Sequence, residues 1–367
     1  MATLTHTRLE APSVRRLDLS RLGPNWYAAV MGTAIVANGA AALPYRLPGQ
    51  LGFAEVVWAL SAAALLVLVA GRLVHLTRHR AAARTQLLDD PAGAVFYGCP
   101  PMALLAVGYG TLVVGGRLLG TGPAAVADLV LWSLGTLYAV LVAAGIPYLM
   151  ITRHELSALR ANPTWLLPVV APMVAAALGP ALLPHVPGGL RPALFWGCYA
   201  LFGASLLATL TVLPVVFTGL VHSKLPSAVL APSLVLVLGP LGQSTTAVNQ
   251  LADAARTVAP RLAPGALDLA VLYGAAVIGF ALLWLLIALA VNLRSRPPFA
   301  MTWWAFTFPV GTCVTGSAGL YRHTGFAGFA VVAAGLYGLL LLAWAVAAVR
   351  TGRELAAGRL LHTEASR

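Results

Sequence analysis

Ionisable side chains are the scarcest component of this sequence. Asp, Glu, Lys and Arg supply 9% of its 367 residues, against about 25% in an ordinary soluble domain, so a soluble globular fold is excluded. Acidic residues are the rarer half, 11 against 23 Lys and Arg, for a formal net charge of +12. Only three cysteines occur, without CxxC spacing, which argues against a disulfide framework or a cysteine metal site. Cys99, Cys198 and Cys313 fall inside apolar stretches and are expected as buried small residues. No Asp, Glu, Lys, Arg or His lies centrally in an odd-numbered apolar segment, and no nucleophile has a base beside it. An integral-membrane enzyme is therefore not expected, and neither is a cofactor or metal. Proton and cation coupling usually need such groups at depth. His75, His79, His154 and His222 have no ligand partner at helical spacing and are expected in solvated cytoplasmic segments. Glu55, Asp128 and Asp268, at the outer ends of even segments, are expected as solvated or loop-paired carboxylates.

What is present is apolar surface: 59% hydrophobic residues and a mean hydropathy of +0.85. Ten segments are long enough to cross a hydrocarbon core of roughly 30 Å: about 25–43, 53–71, 95–116, 129–152, 162–184, 192–221, 227–249, 269–293, 297–321 and 324–349. The sequence thus predicts an all-α integral membrane protein in a lipid bilayer. It divides into an N-terminal arm (1–24), a ten-helix transmembrane domain (25–349) and a C-terminal tail (350–367). The arm is polar and basic and lacks the pattern of a removable signal peptide, so the first span is expected to direct insertion. Loops after odd spans hold Arg46, Arg117, Arg191, Arg256, Arg261 and Arg322, and the other 17 Lys and Arg lie in the arm, the tail and the loops after even spans. The positive-inside rule then explains the basic balance without nucleic acid and predicts a plasma-membrane protein with both termini cytoplasmic. Arm and tail are expected to be short, mobile and dispensable for conduction.

Odd spans begin near residues 25, 96, 164, 227 and 299, a repeat of about 70 residues. They also hold nearly all internal prolines: Pro100 and Pro101, Pro168 and Pro172, Pro232 and Pro240, and Pro309, against Pro147 and Pro214 in even spans. An internal proline leaves a carbonyl without its helical donor, which lipid cannot satisfy. The repeat and the prolines together predict five parallel hairpins around a central pore, with kinked odd helices inside and even helices outside. Any ten-span chain of this length has hairpins of similar size, so the prolines carry the argument. Trp26, Trp165, Trp303 and Trp304, at the cytoplasmic entries of spans one, five and nine, are expected as interfacial anchors.

Small and hydroxyl residues are the candidates for the pore lining. Span one offers Gly32, Thr33, Asn38 and Gly39; span three offers Gly108, Tyr109 and Thr111. Span seven offers Ser233 and the break Gly239-Pro240-Leu241-Gly242, followed by Gln243 and Ser244 to Thr246. Span nine offers Thr307, Phe308, Pro309, Thr312 and Thr315. Each glycine or threonine has a competing reading as a helix-packing residue. A half-helix beginning near Ser244 would aim its positive dipole end at the lumen and favour anions; a break at the outer mouth would make Ser244 only a helix end. Phe308, beside a predicted kink, is a candidate plug, against the ordinary reading of a packed ring.

Four stretches carry a family resemblance: Asn25-Trp26-Tyr27-Ala28-Ala29-Val30-Met31-Gly32-Thr33, Leu167-Pro168-Val169-Val170-Ala171-Pro172-Met173-Val174-Ala175, Leu238-Gly239-Pro240-Leu241-Gly242-Gln243-Ser244 and Trp303 to Gly311. They resemble the tellurite-resistance/dicarboxylate transporter family, which includes guard-cell slow anion channels and malate and sulfite permeases. The resemblance implies ten helices in five hairpins around a pore, commonly a homotrimer with one pore per subunit. It also implies an occluding phenylalanine on the ninth span, where Phe308 matches better than Phe306. The phosphorylated tails of the plant channels have no counterpart in these termini. The function expected is an anion channel or passive carrier for small inorganic or organic acid anions, through a neutral pore gated by Phe308 and fed by a basic cytoplasmic mouth. The alternative is a proton-linked exporter of a dicarboxylate, sulfite or tellurium oxyanion.

Overall fold

The computed structural model describes residues 22–157, 160–224 and 227–360, so most of the arm, including Arg15 and Arg16, lies outside the described residues. Among them every regular element is helical. In chain order these are α1 (Tyr27–Ala42), α2 (Gln50–Arg78), α3 (Arg80–Leu88), α4 (Pro91–Ala94), α5 (Cys99–Gly110), α6 (Gly116–Leu119), α7 (Thr121–Thr152), α8 (Leu166–Leu178), α9 (Arg191–Ser223), α10 (Leu238–Val258), α11 (Ala263–Ser295), α12 (Phe308–Thr324) and α13 (Ala327–Ala356). Eight segments are long and apolar enough to cross a membrane. The remaining two of the ten expected spans are α1 and α12, helices of 16 and 17 residues. With the 3-10 turn at 24–26, α1 rises about 30 Å.

The two kinds of span differ in build. Helices α2, α7, α9, α11 and α13 run unbroken for 29, 32, 33, 33 and 30 residues, and Pro147 and Pro214 do not end α7 or α9. Every odd span instead starts as a 3-10 segment and then becomes an α-helix: 24–26 before α1, 95–98 before α5, 163–165 before α8, 228–237 before α10 and 301–306 before α12. In four of the five, prolines mark where the change falls. Pro100 and Pro101 are the second and third residues of α5, Pro168 the third of α8, Pro240 the third of α10 and Pro309 the second of α12. In a first turn the N–H has no intrahelical acceptor, so the ring removes nothing and its fixed φ suits the helix. Most of the expected kinks are thus helix starts. Pro172 lies inside α8, and Pro232 inside the 3-10 segment before α10.

The unbroken helices also send side-chain donors to backbone carbonyls of the odd segments. Gln50 of α2 donates to Ala40 O at 2.6 Å, Trp132 of α7 to Ala175 O at 3.0 Å and Ser205 of α9 to Val169 O at 2.5 Å. From α11, Trp284 donates to Leu234 O at 2.9 Å and Asn292 to Ala231 O at 3.0 Å; Tyr337 of α13 donates to Val36 O at 3.2 Å. Pro232 cannot donate to Val229 O as a 3-10 residue should, and Thr302 Oγ1 takes its place at 2.8 Å.

Burial separates the same two sets. The most apolar windows of Pro163–His185 and Ala228–Val258 are 94% and 78% buried, whereas those of Thr121–Thr152 and Gly188–Ser223 are 22% buried. Helices α1, α5, α8, α10 and α12 pack each against the next, and α12 returns to α1. Each unbroken helix packs on the odd helix that precedes it: α2 on α1, α7 on α5, α9 on α8, α11 on α10 and α13 on α12. Their outward side chains, such as Leu66, Ile151, Leu272 and Leu293, are exposed and apolar, as lipid contact requires.

Several expectations are corrected. Asp128 is not solvated: it is 1% exposed, inside the contact between α7 and α5. Glu55 is loop-paired, 3.4 Å from Arg117, and Asp268 is exposed. His75 is fully buried beside His79, 6.0 Å between ring centroids. Trp26 and Trp304 are buried rather than interfacial, and Trp304 Nε1 donates to Thr351 Oγ1 at 3.0 Å. Thr351 is reached because α13 continues through the expected boundary at 349 to Ala356, and Leu355 and Leu360 pack on Leu22 and Trp26.

Candidate functional site

Two cavities lie among the odd segments. The larger, ≈ 600 Å³, is walled by Ile35 and Asn38 of α1, Ala106 and Tyr109 of α5, Leu178 of α8, Gln243, Thr246, Asn249, Gln250 and Asp253 of α10, and Phe308, Thr315, Tyr321 and Arg322 of α12. The loop after α1 adds Leu43, Pro44 and Arg46. The smaller, ≈ 20 Å³, has walls from the start of the same five segments, including Met31, Cys99, Leu167, Ser233 and Trp304. It has room for about one water molecule. The five odd segments therefore contribute to the walls of both cavities, the smaller one near their starts and the larger one toward their ends.

Phe308 stands on the wall of the larger cavity as the first residue of α12 and is 3% exposed. Its position follows from the backbone switch: the 3-10 segment ends at Phe306, Thr307 adopts φ −98 and ψ −79, and Phe308 and Pro309 open the α-helix. Gly32 and Gly311 let α1 approach this switch. A Cβ on Gly32 would strike the Thr307 hydroxyl and come within 2.9 Å of Trp304, and one on Gly311 would strike Ile35.

Of the other expected lining residues, most lie at helix contacts. Thr33 Oγ1 donates to Ala29 O at 2.7 Å and accepts from Trp344 of α13 at 3.1 Å. Thr307 donates to Trp304 O at 2.6 Å, and Thr312 to Pro309 O at 2.7 Å, facing α10. Pro100, Pro101, Pro168, Pro240 and Pro309 are buried in first turns, Pro232 in its 3-10 segment. Pro172 lines a lateral groove between α7 and α9. Gly239 is buried, with only Pro309 Cγ, at 3.9 Å, near its missing Cβ. Ser244 does not begin a half-helix. That helix starts at Leu238, and Ser244 Oγ donates to Leu241 O at 2.9 Å and accepts from Tyr273 of α11 at 2.8 Å.

The cavity chemistry is graded. Beside Phe308 the lining is amide, hydroxyl and apolar. Asn38 Nδ2 donates to Ala106 O at 3.0 Å, Asn249 Nδ2 to Thr245 O at 2.8 Å, and Thr246 and Thr315 pair at 2.7 Å. Formal charge is confined to the end where the odd helices finish, at Arg46, Asp253 and Arg322. There Asp253 Oδ1 lies 3.0 Å from His323 Nε2, with the His side chain 4% and the Asp side chain 41% exposed. From sequence Arg46 and Arg322 are expected only as loop charges, and no motif there marks Asn249, Gln250, Asp253 or Tyr321. Their shared signal is polarity in the last turns of otherwise apolar odd segments.

The larger cavity thus has a neutral wall with charged groups at one end. No group of three or more metal-ligating side chains is assembled among the described residues. A family model described as SLAC1, voltage-dependent anion channel, matches residues 21–352. The sulfite efflux pump SSU1 of Trichophyton rubrum is 30% identical over 310 residues, covering 82% of this chain and 81% of the pump, as is that of Arthroderma benhamiae. An uncharacterized transporter of Methanocaldococcus jannaschii is 26% identical over 357 residues, 96% of this chain and 99% of its own length.

Proposed function

Since the chain belongs to the SLAC1 voltage-dependent anion channel family, a family of multi-pass membrane anion transporters, we propose that it is a channel or passive carrier of small inorganic or organic acid anions, closed by Phe308. Ten spans form five hairpins, the odd helices enclose the pathway, and the two cavities are its vestibules. The observation that carries this reading is that the same five segments wall both cavities, with Phe308 on the wall of the larger one. A neutral lining suits a conducted anion, because a fixed cation at depth would hold it. Arg46 and Arg322 raise the local anion concentration at their mouth. The protein resides in the plasma membrane with both termini cytoplasmic and assembles as a homotrimer whose contacts fall on the unbroken helices.

Sulfite is the first anion to test, because the curated relatives at 30% identity are named sulfite efflux pumps. Purified protein in liposomes is expected to pass at least one of chloride, nitrate, sulfite and malate down its gradient. Absence of flux for all four overturns the reading. The word pump in the relatives' names favours a second reading, driven export, which in this chain would be proton-linked; saturating flux that collapses with the proton gradient would select it.

A further inference from the structure

The buried carboxylate of Asp128 has no role in the passage just described. It sits near the start of α7, 1% exposed, against Gly108 of α5. A Cβ on Gly108 would come within 2.7 Å of its Oδ1, so glycine at 108 leaves the niche that the carboxylate fills. Its Oδ2 is buried with no hydrogen-bond partner, and no ion pair reaches Asp128 among the described residues. The neighbouring residue, Tyr109, is on the wall of the larger cavity, which Gln250 also lines. The next turn of that wall is the π-helical stretch Thr111–Gly115, a looser backbone often found at functional sites.

The elements packed on α7 bring no countercharge. Helix α8 and the π-helical stretch hold no titratable residue. Helix α5 contributes Tyr109 and, a helix length away, Cys99. Arg117 of α6 is exposed and paired with Glu55, His185 is exposed in the 3-10 segment after α8, and Tyr97 of the segment before α5 is held by Arg72 at 2.6 Å. A charged carboxylate buried without partners is unfavourable, so this niche holds the neutral acid.

We propose that Asp128 is a proton-binding site that sets anion flux: it is neutral in the conformation seen here and loses its proton to vestibule water past Tyr109 when the α5 wall loosens at Thr111–Gly115. The step is a bare ionisation, with the O–H bond broken, the electron pair kept on the carboxylate and the proton passed to water. The anionic form then repels anions from behind the vestibule wall, so flux falls as pH on that side rises. This inference rests on the anion-transport reading above. The ionisation itself does not.

Two measurements separate them. In an infrared difference spectrum of the wild-type protein in membranes, taken between acid and alkaline pH without transported anion, a protonated carboxyl stretch is expected that vanishes in Asp128→Asn. If both proteins give the same spectrum, the site is overturned whether or not any anion is transported. In liposome flux, Asp128→Asn is expected to stay near the acid-side rate while the wild type falls at least tenfold toward alkaline pH, and Asp128→Glu is expected to keep a shifted response. The Asp253–His323 pair is intact in all three proteins, so its own response is common to them. An Asp128→Asn profile that overlays the wild type overturns the proposal.

Discussion

At the scale of single residues, the neighbours of a glycine decide what it does. A Cβ on Gly242 would sit 2.5 Å from the backbone nitrogen of Cys313, which cannot move aside. Gly242→Ala is therefore expected to lower stability by about 1–3 kcal/mol, read as the thermal midpoint of the detergent-solubilised protein. Gly239→Ala, three residues earlier, meets only Pro309 Cγ at 3.9 Å, an ordinary contact, and should be neutral or stabilising by up to ~1 kcal/mol. Equal losses for both would contradict the packing described. Phe308 belongs to the same scale. If its ring is the plug, Phe308→Ala removes a barrier, and each ~1.4 kcal/mol removed is about tenfold in rate. Liposome flux is expected to rise on that order, and an unchanged rate in correctly inserted protein counts against Phe308. Its place was legible because the following proline marks a backbone break. Asp128 was not legible: seven residues into an apolar even helix, nothing local distinguishes a lipid-facing turn from one pressed against Gly108 of another span.

At the scale of elements, the division of labour between spans reduces to hydrogen bonding. The odd segments change from 3-10 to α geometry, and the unbroken helices send side-chain donors to their carbonyls. Proline positions in the sequence located four of these five changes to within two residues, because a ring tolerated in a first turn is the common cause; the change before α1 has no such proline. They did not reveal that the changes are helix starts rather than bends, nor that Ser244 lies beyond the first turn of α10. Propensity alone does not distinguish a 3-10 approach from a short loop. The donors were likewise hidden, since Trp284 and Asn292 look like any aromatic or polar residue in an apolar helix. Trp284→Phe keeps most of the ring and deletes the bond to Leu234 O. Because the 3-10 segment still supplies a backbone donor to that carbonyl, the change is expected to cost about 0.5–1.5 kcal/mol, the net worth of one hydrogen bond, with little change in which anions pass. A thermal midpoint matching the wild type would show that Leu234 O finds another donor.

Across the whole molecule, charge is sorted by position: the cavity lining is neutral at depth and charged only at one mouth. A pathway built this way feels its mouth through long-range fields, which salt screens. The Debye length falls from about 30 Å at ~10 mM to about 3 Å at ~1 M ionic strength. Arg322→Gln and Arg46→Gln are each expected to reduce anion flux by up to about tenfold at low ionic strength and to approach the wild type at high salt. Asp253→Asn, which removes the opposing charge from the same rim, is expected to shift flux upward under the low-salt condition and to converge likewise. The opposite signs matter more than the sizes, because a general loss of folding would lower all three and would not vanish with salt. If the arginine variants stay depressed at ~1 M salt, the side chains act by direct contact with the anion or by holding the mouth in shape. The field at the rim would then not be what draws anions in.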